Sequence, residues 1–434
     1  MNTRIAFLGL VAALMAGNVL GQVGTNTPTT ATGTDLTPTL IDKGLWSGGT
    51  LTGRWKDIST ASGKTSKELT SLGPVFGERP QQVQAYFEGG QLTRIEVVWL
   101  EAGNFFGFRA SKEDAAHDGR ELSTAERNRL ERDKREKEKA EDAALAPKRR
   151  EFAERFQSLE RSIPAAITAL AKKPGARISM GGSGLMRSRA TEWVVDGVNL
   201  RFVANDDQLI GLTIQSASDS TRKLTEGTGT TARRREARDA VQELPNGDEI
   251  ITDIPMFNQG GRGYCAIGTL AMVTQYYGLN LNIDQLAAKA GYKEGDTQHA
   301  AIIPVYQAAA REAKLRFSQN HTLNFREAQQ AVEKGKPLIV WRYFSRERDE
   351  FHSNFARRLE SDPGATLPDP KKDKTDRAQW PDKKASAHAS VITGVNKKRN
   401  EVLFTESWGE HNRNRRMRAE EMEATAYVTF LLEP

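Results

Sequence analysis

The chain has 434 residues, room for two or three domains, and its 38% hydrophobic and 27% charged residues mean that packed cores share it with solvated segments. A formal net charge of +6 is spread along the whole length. It suits electrostatic association with an anionic envelope surface, and it excludes the concentrated basic patch that nucleic-acid binding needs. One cysteine excludes an internal disulfide and the common zinc ribbons, so stability has to come from packing.

Met1-Asn2-Thr3-Arg4 precedes an uncharged run from Ile5 to Leu20. One positive residue, a short apolar stretch and small residues before Gln22 predict a secretory signal peptide over 1–21 and a secreted or periplasmic protein. The run is too short to favour a permanent membrane span. Residues 22–40, rich in Thr, Gly, Asn and Pro, predict a flexible linker.

Residues 41–215 predict an N-terminal α+β region of unassigned function. From Leu45 to about Phe108 the pattern turns towards strands. Val83 to Leu100 reads as a hairpin with its tip near Gly89-Gly90, and a second hairpin spans Trp193 to Gln215 with Asn205-Asp206-Asp207 at its tip. The segments 90–95 and 207–212 can be laid side by side, although hairpins resemble one another by nature.

Charged helices are expected at about 121–172. Ser123 and Glu126 make a capping box, and Glu121 to Asp142 carries eight acidic and seven basic side chains, with Glu131/Arg135 and Asp133/Lys137 at i,i+4 spacing. Pro147 is expected to interrupt this solvated strut. A more amphipathic helix then follows, with Phe152, Phe156, Leu159 and Ile163 on one face. Residues 216–246 are polar and include Arg233-Arg234-Arg235, which predicts a basic interdomain linker.

From residue 247 to 434 the texture changes. Gly260-Gly261-Arg262-Gly263-Tyr264-Cys265 leads into a run from Ala266 to Tyr277 that is apolar on nearly every side, with Gly278 as its stop. That pattern predicts a buried central helix with Cys265 at its N-terminus. Unpaired N–H groups and the helix dipole lower a thiol's pKa there, and the same donors can bind an oxyanion. Gln259, six residues earlier, can fold its amide over the sulfur.

A cysteine nucleophile needs a base and an orienting acceptor. His388 lies in the small-residue strand Ser386-Ala387-His388-Ala389-Ser390, and the next strand, Glu401 to Phe404, delivers Glu406-Ser407-Trp408-Gly409. Neighbouring strands would set His388 beside Glu406.

These motifs, in the order Cys, His, acceptor, resemble the papain-like cysteine peptidase clan, and most closely bacterial domains similar to the bacteriocin-processing, double-glycine leader peptidases. The resemblance covers about residues 251–434, with His388 and Glu406 lying 123 and 141 residues after Cys265. It implies an α+β fold overall, with a central Cys-bearing helix packed on an antiparallel sheet. It also implies Cys265 as nucleophile, His388 as acid/base, Glu406 as orienting group and Gln259 as oxyanion-hole donor. Trp408, Tyr264 and Gly263 are expected to bind substrate or shield the site. The clan commonly carries Asn or Asp where this chain has Glu406, and Glu can still accept the imidazole N–H. The substrate would be a peptide or protein, with no cofactor and no metal.

Helices are expected over Asn282–Ala290, Thr297–Ala313 and Phe325–Lys334, and strands over Leu315–Ser318 and Leu338–Tyr343. A charged insertion at 344–385 reads as a lid or as a surface excursion. His117, His299, His321 and His352 carry no motif, which leaves His411 as the rival to His388. Two alternatives stay open: an inactive papain-like binding module and an envelope-associated structural protein.

Overall fold

The structure, a computed structural model, describes residues 33–434 apart from 62, 108–122, 183, 206, 219–223, 225–229 and 293–300. The expected signal segment, His117, His299 and the Asp206 hairpin tip lie outside the described residues.

The first part of the chain forms α1 (Thr37–Leu40), α2 (Lys43–Trp46), β1 (Trp55–Ser59), β2 (Lys64–Leu69), β3 (Gln82–Glu88), β4 (Gln91–Glu101), α3 (Ala102–Phe106) and α4 (Thr124–Ala171). It continues through β5 (Ala176–Met180), β6 (Ser188–Val195), β7 (Val198–Asn205) and β8 (Leu209–Ser216). Then follow α5 (Thr230–Asp239), β9 (Val241–Glu243), β10 (Asp248–Ile251), α6 (Cys265–Tyr276), α7 (Ile283–Ala290), α8 (Ile302–Glu312), β11 (Arg316–Asn320) and α9 (Phe325–Glu333). The last elements are β12 (Leu338–Phe344), α10 (Arg346–Ser361), α11 (Lys374–Arg377), β13 (Ser386–Asn396), β14 (Glu401–Thr405), β15 (Arg415–Arg418), α12 (Ala419–Thr425) and β16 (Ala426–Glu433).

Strands β1–β8 make one antiparallel sheet of order β1-β2-β3-β4-β8-β7-β6-β5. It is two four-stranded meanders that meet along their last strands, with Ile95 opposite Ile214 and Val97 opposite Leu212. The two segments that align in sequence, 90–95 and 207–212, thus begin equivalent strands. The hairpin expected over Trp193–Gln215 is in fact three strands. Asp196 and Gly197 both have positive φ in a two-residue turn between β6 and β7, the geometry that Asp-Gly favours. Trp193 therefore lies on β6, one strand before the hairpin.

Phe152, Phe156, Leu159, Ile163 and Ile167 of α4 are buried in this sheet's core. Contrary to the expected interruption, α4 is one helix of 48 residues with Pro147 and Pro164 inside it. Packing overrides the local penalty of proline: Phe105 and Phe106 lie edge-on and tilted against Phe152, and Lys148 donates to the Phe106 carbonyl at 3.3 Å. The N-terminal half is solvated, with Arg135 and Glu131 paired at 3.9 Å. Among the described residues no helix is long and apolar enough to cross a membrane.

Both expected linkers contain structure. Thr37–Leu40 is helical, with Leu40 buried in the first core. In the 216–246 segment, α5 buries Ala237, and β9 pairs with β10 in the second sheet. The physical reason is the few apolar groups scattered among polar neighbours, which composition alone averages away.

The second sheet is also antiparallel, of order β11-β16-β12-β13-β10-β9, with β14 and β15 added on β13's other edge. Ala266 to Gln275 of α6 are all buried, as an all-round apolar helix requires. The core around α6 runs on into the first part of the chain through Met180, Met186, Ala190 and Val203.

The 344–385 segment carries α10 and α11 and is stapled down. Arg348 donates to both oxygens of Glu421 at 2.6 Å and to those of Asp376 at 2.7 and 3.1 Å. His352 is fully buried with Nε2 3.3 Å from Glu421. Replacing Arg348 with Met leaves two buried carboxylates without their cation. The Arg348→Met protein is expected to lose about 3–5 kcal/mol of stability, measured by urea denaturation.

Candidate active site

The site is assembled where two loops run side by side. Gln259 N–H donates to the Ser407 carbonyl at 2.9 Å, and Gly409 N–H donates to the Phe257 carbonyl at 3.0 Å. This short antiparallel bridge sets the Gln259 loop against the residues that follow β14. Gly268, one turn into α6, allows the approach: a Cβ there would stand 2.6 Å from the Ser407 Cβ and Oγ. Glycine inside a helix costs about 1 kcal/mol, and here it serves close packing.

Cys265 opens α6 and is partly buried. Its N-cap, Tyr264, makes no side-chain capping bond, so first-turn N–H groups are left for another acceptor. His388 and the Ala389 backbone lie near enough to Cys265 to act on its thiol.

His388 Nε2 lies 2.6 Å from Glu406 Oε2, which leaves Nδ1 for the thiol. The other carboxylate oxygen, Oε1, accepts from Arg342 Nη2 at 2.9 Å and from Ser390 Oγ at 2.8 Å. Arg342 Nε also donates to Ser390 Oγ at 3.1 Å.

Strand geometry explains this grouping. His388 and Ser390 are two apart on β13 and share a face, and Arg342 on β12 is directly opposite His388. Trp408 stacks on the imidazole with centroids 4.8 Å apart and planes at 30°, and Phe344 packs on it at 4.9 Å.

The electrostatics follow from this burial. Burial pulls the imidazole down, but the Glu406 carboxylate and the Cys265 sulfur outweigh it, and His388 is pushed up to about 9. Burial pushes the Cys265 thiol up, yet the His388 charge, its hydrogen bond and the Ala389 N–H bring it below its ordinary value. Burial would also raise Glu406, whereas His388 and Arg342 hold it far below the usual carboxylate range. The arrangement favours a thiolate beside an imidazolium.

Gln259 is buried with its amide fixed at both ends. Ser407 Oγ donates to its Oε1 at 2.6 Å, and its Nε2 donates to the Arg262 carbonyl at 2.8 Å. One amide hydrogen remains for a further acceptor.

Sequence reasoning brought Cys265, His388, Glu406, Gln259 and Trp408 to one place, and the structure groups them. Tyr264 differs. Its side chain is fully buried, its hydroxyl donates to Glu101 Oε1 at 2.5 Å, and its ring meets Tyr292 edge-on. Gly263 is half-buried in the turn before it. His411 is exposed on a short turn at Glu410–Asn412, and His321 is exposed. Arg342, Ser390 and Phe344 were missed. A lone arginine in the apolar strand Leu338–Tyr343 was the available signal. Among the described residues no group of three or more His, Cys, Asp or Glu side chains could hold a metal ion.

Residues 251–430 match the Peptidase_C39 like family. The match fits a cysteine peptidase and bears out, over this segment, the resemblance read from the sequence. Solved structures are similar to part of the chain, two of them as follows. One is the peptidase domain of Streptococcus ComA, a bi-functional ABC transporter involved in a quorum-sensing pathway. It is 14% identical with a TM-score of 0.26, and the alignment covers 41% of this chain and 97% of that one. The other is a C39-like peptidase from Bacillus anthracis, 14% identical with a TM-score of 0.28, covering 43% of this chain and 97% of that one. No curated protein matches the chain.

His388 at about 9, against an ordinary 6.5, contributes stability that is fully present below pH 6.5 and fades as pH rises through about 9. Because Cys265 is the only cysteine, iodoacetamide reports on it alone. Alkylation is expected to stay fast well below the free-thiol pKa of roughly 8.5. In His388→Ala it is expected to slow by at least about 10-fold at pH 6.5, as the thiol returns towards its uncoupled value.

Proposed function

We propose that residues 247–434 are a cysteine peptidase domain in which Cys265 is the nucleophile, His388 the acid/base, Glu406 the group that orients His388, and Gln259 an oxyanion-hole donor. The observation that carries the reading is the buried His388–Glu406 pair set beside Cys265 at an uncapped helix N-terminus.

In this reading the Cys265 thiolate attacks the carbonyl carbon of a peptide bond. The carbonyl π pair moves to oxygen, where the Gln259 amide and the first N–H groups of α6 receive it. Collapse of this intermediate breaks the C–N bond, and the departing amine takes the proton from His388. Water then gives a proton to neutral His388 and attacks the thioester, releasing the acid and restoring the thiolate–imidazolium pair. Glu406 stays ionised throughout. Its second oxygen is held by Arg342 and Ser390, which offsets the extra methylene of Glu at a position where the clan commonly has a shorter acceptor.

The substrate is a peptide or protein, and Trp408 shields the imidazole. Residues 1–21 act as an export signal, so the protein works outside the cytoplasm, where its positive charge favours an anionic envelope surface. An inactive binding module is the competing outcome, and it predicts a thiol that does not turn over.

Two measurements test this. Purified protein incubated with a mixed peptide pool is expected to cleave it, with no cleavage by Cys265→Ala. Glu406→Gln is expected to lower kcat/KM by about 10²- to 10⁴-fold, and mass spectrometry should then find the same cleavage sites. Absence of any Cys265-dependent product would leave the binding module. Separately, the N-terminus of protein recovered from outside the cytoplasm is expected to be Gln22, and an intact Met1 there would overturn the export reading.

A further inference from the structure

The loop from Gln259 to Cys265 is held not only by its own domain but by the N-terminal sheet. Glu101, the last residue of β4, is 2% exposed. Its Oε1 accepts from the Tyr264 hydroxyl at 2.5 Å, and its Oε2 accepts from Arg262 Nη1 at 3.2 Å. The carboxylate also accepts from the Gly103 and Asn104 N–H groups at 2.9 and 2.8 Å, which fixes it to its own backbone. Gly103 sits against Tyr264 so closely that a Cβ would stand 2.2 Å from the hydroxyl oxygen.

Arg262 passes this anchor to the site. Its Nε donates to the Gln259 carbonyl at 2.7 Å, and its own carbonyl accepts the Gln259 side-chain amide at 2.8 Å. Its guanidinium also pairs with Asp284 of α7. Tyr264 is covalently next to Cys265. One buried carboxylate from the first sheet therefore holds both Arg262, which fixes Gln259, and Tyr264, which adjoins the nucleophile.

The same sheet also reaches the start of the Gln259 loop and the opposing loop. Met256 N–H donates to Ser59 Oγ at 3.0 Å, and Thr60 N–H donates to Glu410 Oε2 at 3.0 Å. Asn282, the cap of α7, donates to Glu96 of β4 at 2.6 Å.

We infer that Glu101 is a positioning residue for the oxyanion-binding loop, so that the N-terminal sheet is a working part of the catalytic site. This rests on the peptidase reading above. Glu101 does not touch the reacting atoms; it acts through Arg262 and Tyr264 on where the Gln259 amide and the α6 N–H groups point. His388 is the largest influence that favours the thiolate, and Glu101 contacts neither it nor Glu406. The two functions are therefore separable.

The test uses the full chain and two small reagents. Iodoacetamide alkylates the thiolate by displacing iodide and needs no oxyanion hole. p-Nitrophenyl acetate acylates it: the thiolate adds to the ester carbonyl, an oxyanion forms, p-nitrophenolate leaves, and a thioester remains. Cys265→Ala sets the background for both.

In Glu101→Gln the acylation burst is expected to slow by about 10- to 100-fold, the scale of a misplaced or lost oxyanion donor. Its alkylation rate and pH profile are expected to stay within about 2-fold of wild type, since the charged pair that sets them is untouched. Tyr264→Phe, which removes only a hydroxyl, is expected to show the same selectivity at a smaller size. It carries the test if Glu101→Gln does not fold.

Acylation unchanged in these variants overturns the inference and leaves the sheet a passive neighbour. A fall of both rates together also overturns it, because that marks general loss of structure. A wild-type thiol that neither alkylates below pH 7 nor acylates overturns the peptidase reading, and the inference with it.

Discussion

Glu406 is fully buried, and a carboxylate removed from water stays ionised only if opposite charge and hydrogen-bond donors replace its hydration. Arg342 and Ser390 satisfy one oxygen and His388 the other. That requirement fixes much else. β12 and β13 must be in the register that puts Arg342 opposite His388, because a slip of one residue would turn every side chain to the other face. The ring orientation of His388 follows from the carboxylate, and the protonation of Cys265 follows from the ring.

A second constraint is close approach of backbones. The bridge between 257–259 and 407–409 brings the Gln259 amide, Trp408 and the end of β14 against the first turn of α6. Only glycine at 268 leaves room for Ser407. Further out, Arg262 lies between Glu101 and Asp284, one cation buried with two anions. Such buried ion groups add little net stability over an apolar core and are sensitive to loss of one member. Here the group ties the Gln259–Cys265 loop to β4 on one side and to α7 on the other.

The chemistry was more legible in the sequence than the architecture. Cys265 could be placed because a glycine-rich loop meets an all-apolar run, and His388 and Glu406 because small-residue strands and Ser407-Trp408-Gly409 mark them. The helices at 283–290 and 325–333 fall within the segments expected to be helical, with Asn282 as the cap of the first and not its first helical residue. Strands such as Trp55–Ser59 and Lys64–Leu69 were not individually legible. They are the outermost strand and its neighbour, with few buried positions, so no alternation marks them. Pro147 misled because its penalty is local, while the Phe152 and Phe156 packing that overrides it comes from elsewhere in the chain. Asp196-Gly197 was a readable turn signal whose geometry splits the second hairpin.

What the sequence by itself determined was the set of reactive groups and their local settings: a thiol at a helix start, a histidine in a strand, a carboxylate at a strand end, each specified by neighbours within a few residues. Tertiary structure alone decided which groups surround them. Arg342 reaches Glu406 across 64 residues and Glu101 reaches Tyr264 across 163. Pairings of that separation are set by sheet register and by which buried charges can be satisfied together. No local pattern encodes those quantities, because they are properties of the closed, dry interior that forms only when both sheets and the helices between them have packed.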